Sequence, residues 1–503
     1  MSRHILAIDQ GTTSSRALVI ADDLSVKASA SVDFPQHFPQ PSWVEHDLND
    51  IWASVLKSVG MVLQKNPGIE RQIEAIGITN QRETTCLWHR EPDAKPLGRA
   101  IVWQDRRTAD ECVRLQKQGV ESLVHRRTGL RLDPYFSGTK LAWMLKNIPT
   151  AAALARQGKL AFGTIESYLL YRMTGNHLTE PSNACRTLLM GLKTCEWDEE
   201  MLKLFRIPKS LLPQILPSSV TYGKTRNFPG LPDGIPITGL AGDQQSALFG
   251  QACFSKGSVK CTYGTGAFIL ANTGKTPVFS KHRLLTSVAW KLGKETTYCI
   301  EGSAFIAGAA VQWARDEMKM ISQSPDIEAL AATVSDSDGV VFVPALSGMG
   351  APHWLPRATG MFTGITRRTS QGHMARAILE GIAFQVRELL EAMKQDLGKK
   401  LSPVKVDGGA STDNLLMQIQ ADLLGVEIVR AEVLETTALG AALQAGLAIG
   451  MWSGPADIQA KWKAGKTFQP KMSRAKRQSE TSRWDRAMQA VQLLAAPPKK
   501  KRS

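Results

Sequence analysis

The sequence is poor in cysteine and shows none of the spacings by which cysteine and histidine build structural sites. It has seven cysteines in 503 residues, an odd number with no C-x-x-C pair, and nine scattered histidines without an H-E-x-x-H motif. This pattern excludes the disulfide framework of small secreted domains and predicts free thiols in a reducing compartment, the cytoplasm. It also predicts no zinc site.

Long hydrophobic runs are absent as well. The run Ile5–Ile8 is too short for a signal peptide and meets Asp9 at once. The stretch Thr436–Trp452 is uncharged and rich in Ala and Gly, but it falls short of the ~20 apolar residues that a membrane span needs. We therefore predict a tightly packed buried helix there and no transmembrane segment.

Acidic charge is scarce only at the C-terminal end. Residues 461–503 hold 13 Lys or Arg and two acids, a net +11 of the total +15, which leaves +4 on the first 460 residues. No nucleic-acid-binding motif is legible, so no specific nucleic acid partner is predicted. The run Pro497–Arg502 resembles a nuclear-import signal, but a solvated, disordered end is the interpretation we prefer.

The length exceeds what one core supports, since single cores stop growing at roughly 250–300 residues. With 43% hydrophobic and 21% charged residues, the composition is that of a globular protein. We predict two large lobes, residues 1–250 and 251–455, followed by a basic segment, 456–503, with a disordered tail. Alternating strand and helix patterns favour α/β lobes.

Two similar hairpins are predicted, one in each half. Apolar residues 5–8 and 17–20 flank the small, hydroxyl-rich turn Gly11–Ser15, and residues 258–261 and 267–270 flank Tyr263–Gly266 in the same way. The repetition indicates an internal duplication. Further predicted elements are strands at 73–78, 236–241, 339–344 and 404–406, and helices at 371–397 and 414–424.

The first turn has the composition of an anion cradle. Thr12, Thr13 and Ser14 offer hydroxyls and backbone N–H groups, and Arg16 adds a fixed guanidinium. Asp9, at the end of a strand, is placed to hold Mg²⁺ through water. An ordinary hairpin with polar turn residues would have the same pattern, so this turn alone does not distinguish a phosphate-binding site from a simple turn.

Two further Gly-rich loops follow in order, Tyr263–Gly266 and Val406–Ser411. Glycines let a nucleotide lie close against backbone. Neither the P-loop pattern nor the protein-kinase motifs are present. Three such loops in this order predict a nucleotide site that belongs neither to the P-loop class nor to the protein-kinase class.

The order of the three Gly-rich loops along the chain resembles that found in the superfamily of sugar kinases, chaperones and actin. Longer motifs narrow the resemblance to one family. Tyr135–Asn147 is similar to the first signature of the FGGY carbohydrate kinases, and Gly360–Ile365 with His373–Glu380 is similar to the second. Motifs similar to the members that act on glycerol are Trp43–Asp47, Gly77–Thr85 and Gly242–Gln245. The resemblance covers residues 5 to about 455.

The resemblance implies an α/β fold with two actin-like, ribonuclease H-like lobes and a cleft between them. It implies ATP- and Mg²⁺-dependent phosphorylation of glycerol to sn-glycerol 3-phosphate, the first step of glycerol breakdown, by a homodimer or homotetramer. Asp243 would be the general base that accepts the hydroxyl proton, and Asp9 and Asp243 would lie at the metal. The other implied contacts are Arg82, Glu83, Trp103, Tyr135, Asp243, Gln244 and Phe268 for the polyol, and Thr12, Thr13, Ser14, Arg16, Thr265, Gly308, Gln312, Ala410 and Asn414 for ATP.

Simpler interpretations exist for several of these residues. Asp243 is also typical of a helix N-cap, and Arg82 with Glu83 is also typical of a surface ion pair. The aromatic rings are also typical of residues that pack in a core. The sequence also departs from the commonest glycerol-specific pattern, with His353 and Leu355 in place of Tyr and Asp. The Gly-rich basic loop through which some bacterial members bind a sugar bisphosphate is missing from 226–235, so feedback control is not expected.

Three other functions remain open at this stage. The chain could phosphorylate a ketopentose or another polyol instead of glycerol. It could be an ATP-driven binding protein of the chaperone or actin kind, although it has no separate peptide-binding domain. An ATP-sensing regulator that binds DNA through the basic tail has no helix-turn-helix to support it.

Overall fold

The computed structural model of the chain describes residues 3–399 and 403–496, so the basic run at 497–502 lies outside the described residues. The first half contains a six-stranded sheet and several short strand pairs. Its strands are β1 (His4–Gln10), β2 (Ser14–Ala21), β3 (Val26–Asp33), β4 (Glu45–His46), β5 (Ile73–Asn80), β6 (Cys86–His89), β7 (Ala100–Ile101), β8 (Leu160–Gly163), β9 (Leu178–Thr179), β10 (Met190–Gly191), β11 (Glu196–Trp197), β12 (Gln214–Ile215), β13 (Ser219–Lys224) and β14 (Pro236–Gly242). Its helices are α1 (Leu48–Lys65), α2 (Ala109–Lys117), α3 (Glu121–Thr128), α4 (Ser137–Asn147), α5 (Ala151–Arg156), α6 (Ile165–Thr174), α7 (Pro181–Ala184), α8 (Glu199–Phe205) and α9 (Asp243–Gly250).

The second half is built around a seven-stranded sheet. Its strands are β15 (Val259–Tyr263), β16 (Ala267–Gly274), β17 (Leu285–Leu292), β18 (Glu295–Ala304), β19 (Val341–Val343), β20 (Met361–Thr363), β21 (Val404–Asp407), β22 (Ile428–Ala431) and β23 (Ala464–Phe468). Its helices are α10 (Gly308–Asp316), α11 (Asp326–Ala331), α12 (Gln371–Leu397), α13 (Asn414–Leu424), α14 (Thr436–Ala448), α15 (Pro455–Lys461) and α16 (Arg474–Ala495). Short 3₁₀ turns lie at Ile69–Gln72, Cys185–Thr187, Lys209–Leu211 and Gly409–Thr412.

The two large sheets share one topology. In the first, the order is β3-β2-β1-β5-β14-β13, and in the second it is β18-β16-β15-β21-β22-β23, with β17 added beside β18. In each sheet three antiparallel strands are followed by two parallel ones and a final antiparallel strand. This repetition confirms the predicted α/β fold with two ribonuclease H-like lobes and explains why both halves open with a hairpin.

The two halves exchange helices. Helix α14 of the second half lies on the first sheet, where Thr238 Oγ1 donates to the Ala445 carbonyl at 3.0 Å. It also crosses α9 closely: a Cβ on Gly440 would lie 1.8 Å from the Ser246 carbonyl oxygen. The small residues of the stretch from Thr436 therefore allow two buried helices to pack closely, as predicted. No helix within residues 3–399 and 403–496 is long and apolar enough to cross a membrane.

Most predicted elements agree with the structure. Helices α12 and α13 have the predicted bounds, whereas the strand predicted at 339–344 is limited to Val341–Val343. All seven cysteines are buried and free. The segment before the basic tail is folded: β23 pairs with β22, and Trp484 of α16 is buried, stacked on Phe384 and donating to Glu388 Oε1 at 2.9 Å.

Candidate active site

The turn between β1 and β2 opens toward the junction of the two halves. The Gly11 N–H donates to the Ser14 carbonyl at 2.9 Å, which closes the turn and leaves Thr13 exposed. Arg16, the third residue of β2, forms an ion pair with Glu435, the residue that precedes α14. The first predicted phosphate turn therefore faces the second half of the chain.

The second and third Gly-rich loops meet each other. The Thr265 carbonyl accepts hydrogen bonds from the N–H groups of Ala307 (2.8 Å) and Ala309 (3.0 Å), so α10 begins against this loop. A Cβ on Gly308 would lie 2.6 Å from the Gly264 carbonyl oxygen and 3.8 Å from Ala410 Cβ. The structure thus brings the nucleotide candidates Thr265, Gly308 and Ala410 together.

The two remaining nucleotide candidates lie at the start of neighbouring helices. Gln312 is exposed one turn beyond Gly308 on α10. Asn414 is the first residue of α13, where its Oδ1 accepts from Lys466 Nζ at 3.0 Å and Arg430 at 3.2 Å. No hydrogen bond of the described residues joins either side chain to Thr265.

A buried charge cluster lies between the lobes. Arg82, 3% exposed, places its Nε 3.0 Å from Asp243 Oδ1. Its two terminal nitrogens donate to both carboxylate oxygens of Glu301, at 2.6 and 2.8 Å. Because Glu301 is on β18, the polyol candidate Arg82 is held by a bidentate bond from the opposite lobe.

Arg186 completes this cluster. Its Nε donates to Glu83 Oε1 at 2.6 Å, and another nitrogen lies 3.3 Å from Glu301 Oε2. Burial raises the pKa of Glu301, but the guanidinium groups of Arg186 and Arg82 lower it by more, to about 2. Burial also raises the pKa of Glu83, against the same two guanidinium groups. Paired in this way, buried charges avoid the cost of isolated ones.

Aromatic rings and the first phosphate turn meet at Trp103. Its ring centroid lies 5.5 Å from that of Tyr135 and 6.5 Å from that of Phe268 of the second half, both edge-on. The indole Nε1 donates to Thr12 Oγ1 at 3.0 Å, and the Tyr135 hydroxyl is 3.5 Å from Arg82. Trp103 therefore connects the polyol candidates Tyr135 and Phe268 with Thr12 of the first predicted phosphate turn.

Asp243 lies close enough to Asp9 to affect its pKa. Burial raises the pKa of Asp9 to about 7; the Arg16 guanidinium opposes this, and the carboxylates of Asp243 and Glu435 add to it. No group of three or more His, Cys, Asp or Glu side chains in the described part of the chain is arranged to hold a metal ion. Two carboxylates near each other suit Mg²⁺, which binds few carboxylates and keeps several waters.

One sequence prediction about Asp243 is wrong in detail. The N-cap of α9 is Gly242, and Asp243 is the first helical residue, with its Oδ1 accepting from the Gln244 N–H at 2.6 Å. A surface location for the ion pair of Arg82 and Glu83 is also excluded, because both side chains are buried; Arg82 Nε lies 3.9 Å from Glu83 Oε1.

Sequence reasoning missed Arg186, Lys260 and Glu301. Each is a single charge among apolar or small residues, and each is fully buried. A charged residue in a stretch of this kind needs a partner, which was the available signal. The two departures, His353 and Leu355, lie elsewhere: His353 contacts Glu388 at 3.1 Å and Leu355 packs on the core of the second half.

Family models and several known proteins match this chain over most of its length. Models of the FGGY family of carbohydrate kinases match residues 4–250 (N-terminal domain) and 259–449 (C-terminal domain). Glycerol kinases of Myxococcus xanthus and Bdellovibrio bacteriovorus are 55% and 52% identical, over 97% and 98% of this chain and 99% and 100% of theirs. A crystal structure of Plasmodium falciparum glycerol kinase with ADP superposes with a TM-score of 0.90 at 34% identity, covering 97% of this chain and 98% of that one. The chain belongs to the FGGY family of carbohydrate kinases.

Proposed function

We propose that this protein transfers the γ-phosphoryl group of ATP to glycerol. The observation that carries the proposal is the position of Asp243, which lies 3.0 Å from buried Arg82 and close enough to Asp9 to raise its pKa. This position supports a role for the Asp243 carboxylate between the proposed polyol residues and the proposed phosphate turn. The glycerol kinases more than 50% identical over nearly the whole chain support glycerol as the acceptor.

Asp243 is proposed as the general base. Both of its contacts, with Arg82 Nε and the Gln244 N–H, use Oδ1, and no described residue hydrogen-bonds to Oδ2. Oδ2 can therefore accept the proton of the attacking hydroxyl as the oxygen approaches the γ-phosphorus.

The other residues would bind and orient the two substrates. Arg82, Glu83 and Gln244 supply hydrogen bonds to adjacent hydroxyls, and a site of this kind rejects analogues that lack them. Trp103, Tyr135 and Phe268 would cover the carbon backbone. For ATP, the proposed contacts are Thr12, Thr13, Ser14, Arg16, Thr265, Gly308, Gln312, Ala410 and Asn414.

ADP release by the purified protein tests the proposal. We expect it to rise steeply with glycerol and to be more efficient with glycerol than with dihydroxyacetone, ketopentoses or other polyols. Highest efficiency with a pentulose would replace glycerol by a ketopentose, and no response to any polyol would refute a kinase function at this site.

Mg²⁺ is proposed between Asp9, Asp243 and the ATP phosphates, where it would neutralise phosphate charge. We expect chelation by EDTA to abolish turnover and added Mg²⁺ to restore it. Asp9→Asn removes one of two carboxylates and should raise the Mg²⁺ concentration for half-maximal rate by roughly tenfold, on the scale of one lost charged interaction. An unchanged Mg²⁺ requirement would place the metal elsewhere; exposed Asp326→Asn is the matched control.

Other properties are proposed from the same resemblance. The lobes would be residues 1–250 and 251–455, with 456–503 as a C-terminal addition. Seven buried free thiols support a reducing, cytoplasmic setting. A homodimer or homotetramer is proposed from the family, and light scattering after size exclusion would test it.

A further inference from the structure

Gln244 and Lys260 form a contact between the two halves of the chain. Gln244 is the second residue of α9, and Lys260 lies on β15; they are 6% and 0% exposed. Lys260 Nζ lies 2.5 Å from Gln244 Oε1 and 2.8 Å from Thr262 Oγ1. A fully buried lysine therefore directs its ammonium group at a side chain of the proposed glycerol site.

This contact fixes the polarity of Gln244. An ammonium group has three N–H donors and no acceptor, so the atom of Gln244 that faces it must be the amide oxygen. Burial lowers the pKa of Lys260, but the carboxylates of Asp407 and Asp243 oppose that shift and favour the charged form. Gln244 is consequently held with its NH₂ group directed away from Lys260.

In this orientation the NH₂ group of Gln244 faces away from Lys260 and can donate to a different acceptor. No residue of the described ranges, 3–399 and 403–496, hydrogen-bonds to Gln244 Nε2, and this atom stays accessible although the residue as a whole is only 6% exposed. An accessible N–H group without a protein acceptor can donate to an acceptor atom of a bound ligand. The neighbouring Asp243 lies in the cleft, where a bound substrate oxygen would be such an acceptor.

We propose that Lys260 is a positioning residue that fixes Gln244 as a hydrogen-bond donor to one oxygen of the acceptor substrate. This inference rests on the proposed glycerol kinase function and adds a selection rule to it. The oxygen that faces Gln244 must accept a hydrogen bond, so a hydroxyl or carbonyl oxygen fits there and a methyl or ammonium group does not.

Gln244→Glu tests the polarity directly. The carboxylate keeps the shape of the side chain and can still bind Lys260, but its other oxygen can no longer donate. We expect the Kd for glycerol, measured without nucleotide by calorimetry, to rise at least tenfold. Exposed Gln478→Glu, on α16, is the matched control. An unchanged or lower Kd would mean that Gln244 accepts from the substrate, which would overturn the proposal.

Lys260→Met tests the positioning role through a double-mutant cycle with Gln244→Ala. We expect Lys260→Met to raise the KM for glycerol about tenfold in the wild-type background and less than twofold when Gln244 is already Ala, with the KM for ATP unchanged. Fully multiplicative losses, or a loss confined to the KM for ATP, would overturn the proposal. If Lys260→Met does not fold, the Gln244→Glu result alone decides.

The same assays separate this inference from the function on which it rests. A wild-type protein that neither binds glycerol nor releases ADP in response to it would overturn the proposed function. A wild type that responds to glycerol, beside a Gln244→Glu variant that binds it equally well, would overturn only the donor role of Gln244 and the positioning role of Lys260 that depends on it.

Discussion

Asp243→Asn is expected to lower kcat for glycerol phosphorylation by a factor on the order of 10²–10⁴, the usual contribution of a positioned general base. The amide keeps the size of the side chain but cannot take the hydroxyl proton. Folding should survive, because Arg82 retains its bidentate bond to Glu301 at 2.6 and 2.8 Å. Single-turnover kinetics with saturating ATP and glycerol measure the chemical step itself.

A matched exposed substitution, Asp316→Asn, controls for the loss of one carboxylate. Among the described residues, exposed Asp316 forms hydrogen bonds only with its neighbour Arg315 on α10, so the kcat of this variant should stay within twofold of the wild type. The thermal midpoint of Asp243→Asn should also match the wild type. Near-normal turnover by Asp243→Asn would refute its assignment as the base, even if glycerol remained the best substrate.

The parts of the site that the sequence predicted are those set by local patterns. A turn such as Gly11–Ser15 is built from adjacent residues, and its hydroxyls and glycine identify an anion cradle without knowledge of the fold. The polyol residues could be assigned because each lies within a longer motif shared with a known family. Composition alone would not have separated Trp103 from the other 11 tryptophans.

The parts that the sequence did not predict depend on contacts between distant segments. Glu301 meets Arg82 across 219 positions of the chain, and nothing near Glu301 in sequence indicates that partner. The exchange of α14 onto the first sheet is equally non-local. The incorrect prediction of Asp243 as the N-cap of α9 has a local cause. Gly242 already has the extended backbone of the cap position, with φ −66° and ψ 148°, so Asp243 is the first helical residue.

The buried charge cluster behind the polyol residues predicts a large effect on stability. Arg186→Met should lower the free energy of unfolding by about 3–5 kcal/mol, the usual cost of removing one partner from a buried ion pair. Without Arg186, a single guanidinium on Arg82 would face the carboxylates of Glu83, Glu301 and Asp243. The neighbouring polyol contacts should loosen with it, so the KM for glycerol should rise. Urea denaturation at constant pH measures the stability change.

Exposed Arg71→Met, at a side chain 86% exposed, is the control and should change stability by no more than about 0.5 kcal/mol. The pair Arg186→Met and Glu301→Gln should together cost less than the sum of the two, since the double variant removes one charge of each sign. Losses that simply add would show that the cluster does not act as a unit.

The cluster also predicts how stability responds to acid. The pKa of Glu301 falls from 4.5 to about 2 in the folded state, so its contribution is fully present above about pH 4.5 and is lost as the pH falls through 2. Replacing Arg186 removes one of the two guanidinium groups that lower this pKa. Acid unfolding of Arg186→Met should therefore begin at a higher pH than that of the wild type, and an identical acid midpoint would show that Arg82 alone keeps Glu301 ionised.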